Sequence, residues 1–184
     1  MNHDDKGRQF QQTFLPHLSA AHNLARWLVQ DDHDADDIVQ DAYLRALRFF
    51  DGFRGGDSRA WLLTIVRNRC YTWLRSKAVA DNVAAFDEQQ HSPSVNDATD
   101  AAGMKSRDPA VLLAQLDDTA QLNTAIASLP EDFREAIVLR ELEDMSYKQI
   151  ATVTGVPMGT VMSRIARGRK MLLQRLQCLE QKKP

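Results

Sequence analysis

Residues 146–169 read SYKQIATVTGVPMGTVMSRIARGR. Ser146, followed three residues later by Gln149, forms a capping box, in which each side chain accepts a hydrogen bond from the other residue's backbone at a helix start. The helix that follows is short, turns Ile150 and Ala151 inward and stops at Gly155. Glycine is the residue that takes the left-handed conformation at a helix end without strain. Pro157 then opens a second helix, since its fixed φ and missing N–H are tolerated in a first turn. Two helices joined by so tight a turn make a helix-turn-helix, which lays its second helix in the major groove of DNA.

At about 100° per residue, Val161, Ile165, Leu172 and Leu176 share the core side of that second helix. Gly159, Ser163, Ala166, Arg167 and Lys170 share the other, with Arg164 and Arg169 at its flanks. Small side chains let a helix approach base edges closely, and Arg or Lys reaches guanine or phosphate. A plain amphipathic helix would share the charge. The capping box, the glycine turn and the small-residue face together are what favour DNA binding.

Working outward, helical periodicity dominates and alternating strand patterns are absent, so the expected class is all-α. One helix is predicted over 8–29 with a bend near Pro16, a second over 34–50, and a third from Ser58 to about 78, capped by Asp57 or Ser58. The third follows the turn DGFRGG at 51–56. Residues 81–108 are rich in Asp, Ala, Asn and Gln and lack apolar period, which predicts a flexible acidic linker. Asp108-Pro109 starts a helix to about 128, and Leu129-Pro130-Glu131 starts another to about 142. The last helix is predicted over 158–178. The expectation is two small helical domains, 8–80 and 109–180, joined by that linker.

The chain has 184 residues, 43% of them hydrophobic and 26% charged, which excludes collagen-like and wholly disordered classes. Its net charge of −2 argues superficially against nucleic acid. Segment by segment the charge is strongly sorted: +6 over 42–80 and +7 over 146–184, against −6 over 31–41, −6 over 81–118 and −4 over 119–145. Such sorting predicts two surfaces that face a polyanion. Two distant cysteines and no apolar leader predict a reducing, cytoplasmic setting, and no apolar run predicts membrane insertion. No Cys/His set has zinc spacing, and no P-loop or paired-carboxylate site occurs. Neither a metal, a cofactor nor an enzyme is expected.

Two helix faces in the first domain remain open on spacing alone. The predicted second helix has a core side at Ala35, Ile38, Val39, Ala42, Ala46 and Phe49. Its outer side carries Asp37, Gln40, Asp41, Leu44 and Leu47, which suits a protein-docking surface. Aspartates also favour a helix N-terminus through its dipole, and single exposed leucines are ordinary, so the plain solvated face is favoured. The third helix has Trp61, Leu62, Ile65, Val66 and Trp73 on its core side. Thr64, Arg67, Asn68, Tyr71 and Arg75 gather on another face, where cations could hold phosphates while a ring stacks on bases. A basic outer face with Tyr71 half-buried is the equal alternative.

The stretches ADDIVQDAYLRAL, FRGGDSRAWLLTIVRNRCYTWLR, IASLPEDFREAIVLRELEDMSYKQIA and GVPMGTVMSRIARGRK, in this order, resemble bacterial sigma factors of the extracytoplasmic-function (ECF) type. The resemblance implies a two-domain initiation factor that binds core RNA polymerase and promoter DNA and is held inactive by an anti-sigma factor. It turns the outer face at Asp37, Gln40, Asp41 and Leu44 into the polymerase-docking surface. It puts Phe53, Arg54, Asp57, Ser58 and Arg59 in the loop that captures a flipped base of the minus-ten element. Thr64, Arg67, Asn68, Tyr71 and Arg75 would lie along the same strand. It sets Thr160, Met162, Ser163, Ala166 and Arg167 in the major groove of the minus-thirty-five element, with Lys148, Arg164 and Lys170 near phosphates. The linker would thread the polymerase cleft. Thr72 and Met162 depart from common residues of the family, so no relative's promoter sequence carries over. A stand-alone helix-turn-helix regulator is the competing class.

Overall fold

The computed structural model describes the backbone of residues 3–84 and 109–180. The expected linker therefore lies outside the described residues, apart from 81–84, which prolong the third helix. Among the described residues the architecture is all-helical, without a strand.

The first domain begins with α1 (His3–Phe14) and α2 (Leu18–Val29), separated by a 3-10 turn at Leu15–His17. The expected bend at Pro16 is thus a break, because proline supplies no N–H to continue the ladder. Gln30 ends α2 in the left-handed region at φ 56. α3 (Asp32–Arg48) is capped by Asp31, whose carboxylate accepts the Asp34 N–H at 2.9 Å. α4 (Ser58–Ala84) is capped by Asp57, whose Oδ1 accepts the Ala60 N–H at 2.9 Å.

The core of this domain is Leu24, Leu28, Ile38, Val39, Leu62, Leu63, Val66 and Cys70, all buried. Each buried leucine contributes about 1.5–3 kcal/mol relative to exposure. Phe10, Phe14, Phe50, Phe53 and Trp61 close one end as an aromatic cluster with ring centroids 5.0–6.4 Å apart. Phe49 corrects one expectation. It is 59% exposed, and Phe50 is buried in its place. α3 ends at Arg48, and Phe49 has left helical geometry at φ −95, ψ 8, so the helical wheel loses phase there.

The second domain comprises α5 (Pro109–Ala127), α6 (Glu131–Ile137), α7 (Tyr147–Thr154) and α8 (Met158–Glu180). The helix expected to run unbroken from 131 to 142 changes pitch to a π turn at Val138–Leu142. The Glu143 N–H then reaches back to the Val138 carbonyl, and Asp144 takes φ 47 to reverse the chain. The capping box at Ser146 and Gln149 is formed in both directions. Gly155 is left-handed at φ 70, as its place at the helix end requires. Val161 and Ile165 are buried, and Leu172 packs on them half-buried.

The two domains pack on each other, α4 along α7 and α2 along α6, and their apolar residues form one contiguous cluster.

Candidate nucleic-acid interface

Two basic faces and one acidic-apolar face are built by these helices. On α8, Met162, Ser163, Ala166, Arg167 and Lys170 are exposed, and Thr160 is half-buried at the helix start. The flanking cations are engaged within the domain. Arg164 donates to Asp132 at 2.8 Å, and Arg169 donates to Glu141 at 2.7 Å. Arg167 and Lys170 make no ion pair among the described residues. The outer face of α8 thus presents two free cations, small residues and the Met162 thioether, which is 47% exposed.

The α4 face is assembled differently. Arg67 is half-buried; its Nε donates to Glu135 Oε1 at 2.6 Å and its second terminal nitrogen to Oε2 at 3.2 Å. The same guanidinium lies over the Tyr71 ring, 4.5 Å from its centroid. Glu135, on α6, is fully buried. Burial pushes its carboxyl above the usual range, although the Arg67 guanidinium works in the opposite direction. Burial also raises the Tyr71 phenol, and Glu135 adds to the effect. Asn68 and Arg75 are exposed, and Thr64 is half-buried.

At the start of α4 a polar network crosses between the domains. Arg59 pairs with Glu143, and Glu143 also accepts from Asn23 at 2.5 Å. Gln149 donates to Asp57 Oδ2 at 2.6 Å. Burial alone would raise the Asp57 carboxyl, but donors from Ala60, Gln149 and Arg59 hold it below its ordinary range. His17 lies 2.9 Å from Ser58 Oγ, and burial together with the Arg59 charge lowers its pKa. Phe53, Arg54, Asp57, Trp61, Thr64 and Lys148 line a cleft of about 630 Å³ between the 51–57 loop and α7. Lys148, expected beside minus-thirty-five phosphates, lines this cleft together with the 51–57 loop.

On α3, Asp37 and Gln40 are exposed, Leu44 is 65% exposed and Leu47 37%. Asp41 is half-buried, because Arg69 of α4 pairs with it and Arg45 lies 3.4 Å away. Reasoning from the sequence did not single out Arg69, Glu135, Glu143, Asn23 or Gln149 as partners of these sites. The signal for two of them was the acidic segment 119–145 opposite the basic segment 42–80.

Comparison with known proteins gives this geometry its class. Residues 13–79 match the family described as Sigma-70 region 2, and residues 119–172 match Sigma-70, region 4. The ECF sigma-E factor of Escherichia coli K12 is 35% identical over 155 residues, 79% of this chain and 75% of its own. The ECF sigma factor SigE of Mycolicibacterium smegmatis is 32% identical over 156 residues, 85% of this chain, which spans 57% of that relative's length. Among solved structures, the sigma factor RpoE of Bartonella quintana, in complex with the anti-sigma factor NepR, superposes with a TM-score of 0.72 at 29% identity. That match covers 92% of this chain and 98% of RpoE. The class defined by fold and faces is the promoter-specificity subunit of bacterial RNA polymerase. Within that class the chain belongs to the ECF sigma factors.

Proposed function

We infer that the chain docks on core RNA polymerase through Asp37, Gln40 and Leu44, with Asp41 shaping that face, and directs initiation at its own set of promoters. The minus-ten element is read at the 53–59 loop and along Thr64, Arg67, Asn68, Tyr71 and Arg75. The minus-thirty-five element is read by α8 through Thr160, Met162, Ser163, Ala166 and Arg167, with Arg164 and Lys170 near phosphates. Lys148 serves either element according to how the domains sit on DNA. The chain carries no catalysis of its own and acts in the cytoplasm. A partner of the anti-sigma class is expected, as NepR is for the Bartonella protein.

The observation that carries this reading is the pairing of a free basic recognition face on α8 with a second basic face on α4, in one chain whose α3 exposes leucines among carboxylates. A stand-alone regulator needs neither of the latter two. Among the described residues no helix is long and apolar enough to cross a membrane.

The test is run-off transcription from genomic promoter fragments with purified core polymerase and this protein. Defined transcripts that require both components support the reading. Tight specific duplex binding without polymerase, and no transcript with it, would overturn it.

A further inference from the structure

We propose that Met158 and Met162 are the thymine-reading residues of α8, packing their thioethers on the C5 methyl groups of thymines in the upstream promoter element. The proposal rests on reading α8 as the helix that enters the major groove there, and it names the base that one edge of that helix selects.

The core of the second domain does not use these two side chains. Val161 and Ile165 are each 1% exposed, whereas Met158 is 51% and Met162 47% exposed. Spaced at i and i+4, the methionines lie one helical turn apart on the same side of α8. Beside them Gly159, Ser163 and Ala166 are exposed and short. A Cβ added to Gly159 would meet nothing within 4 Å, so the thioethers stand above their surroundings.

The charge around the pair selects the occupant. Between Met158 and Cys178 the chain carries Arg164, Arg167, Arg169, Lys170 and Arg175 and no carboxylate. Arg167 and Lys170 are exposed and make no ion pair among the described residues. Apolar side chains on a helix face with uncompensated cations fit a polyanion that offers methyl groups. Duplex DNA offers them at thymine, in the major groove.

The side chain suits the task. Methionine is unbranched and polarisable, so it moulds to a methyl group, and it has no donor for the acceptor edge of guanine. Arg167 stands about 140° round the helix from Met162, at 100° per residue. One edge of α8 thus reads a methyl and the other a guanine. Met162 departs from the residues common in the family at this place, so the contact belongs to this chain.

Uracil in place of thymine removes the C5 methyl and keeps the base pair. Holoenzyme assembled from core polymerase and the full chain is titrated with a fluorescent promoter duplex identified by run-off transcription. Each thymine of the upstream element, on either strand, is replaced in turn by deoxyuridine. At the contacted positions the uracil duplex should bind about fourfold more weakly, the worth of one methyl group removed from apolar contact. In Met158→Gln or Met162→Gln the penalty should vanish at the position that residue covers. Both variants should melt with the parent protein, because both side chains lie outside the core. Uracil tolerated at every position, or an equal penalty in the parent and both variants, overturns the proposal alone. Replacement of the whole upstream element without change in affinity overturns the reading of α8 with it.

Discussion

Arg67 of the first domain and Glu135 of the second are joined through two hydrogen bonds, at 2.6 and 3.2 Å. The pair ties the middle of α4 to α6 across the domain boundary. A buried pair of this kind adds little net stability over an apolar contact, because both charges had to leave water. It gives the fully buried Glu135 a cation within hydrogen-bond reach. The same arginine is the central cation of the α4 face and lies over the Tyr71 ring, 4.5 Å from its centroid.

Leu44→Ala should weaken binding to core polymerase by about tenfold, in line with losing one exposed apolar anchor, while leaving the melting temperature unchanged. Asp41→Ala is expected to lower both, since Asp41 also ties α3 to α4 through Arg69. Titration of core against labelled protein, with thermal melts in parallel, checks the pair. Equal core affinity for Leu44→Ala would refute the docking assignment.

Arg167→Ala should reduce discrimination at one base pair of the upstream element by about 1–3 kcal/mol, as loss of a bidentate guanine contact does. Arg164→Ala should instead cost under about 1 kcal/mol of stability, because it breaks a partly exposed ion pair with Asp132. Holoenzyme binding to a panel of single-base promoter variants separates sequence-specific loss from uniform loss.

Gly168→Ala should destabilise the second domain by about 1–3 kcal/mol, although alanine is the better helix former. An added Cβ would meet Ile137 Cγ1 at 2.8 Å and the Phe133 carbonyl at 3.4 Å, where α8 crosses α6. A raised or unchanged melting temperature would show that Ile137 can move aside.

Acidification from about pH 7.5 to 5.5 should lower stability through His17. The unfolded chain takes a proton near the ordinary value of 6.5, whereas the folded chain resists it because the ring is partly buried beside Arg59. The contribution is therefore complete above 6.5 and declines as pH falls through that value. His17→Asn should flatten the dependence of melting temperature on pH over this interval. An unaltered slope would place the effect elsewhere.

Alkylation should modify one thiol in the native protein and two after denaturation. Cys70 is buried in α4, and burial pushes its thiol up to about 12, whereas Cys178 is exposed. Mass spectrometry after brief iodoacetamide treatment reads the count. Rapid native labelling of Cys70 would show that α4 opens.

Local chemistry made most of the elements legible. Ser146, Gln149, Gly155 and Pro157 act within a few residues of themselves, and the helix-turn-helix follows from caps and periodicity alone. Asp57 caps α4 for the same local reason. Phe49 escaped because helical phase holds only while the backbone stays helical, and α3 ends one residue earlier. The π turn at Val138–Leu142 escaped because apolar spacing does not report a change of pitch.

Two sets of helices, a final helix with a small basic face, and charge sorted into opposing blocks were all legible in the order of residues. That those blocks meet is visible in the packed helices alone. Spacing along a chain sets which residues share a helix face, but not which face of a distant helix will neutralise them. Glu135 and Glu143 read as ordinary members of an acidic stretch; their significance comes from Arg67 and Arg59, 68 and 84 positions away. Burial in a low dielectric turns that distant pairing into a requirement, since a carboxylate removed from water must find a cation.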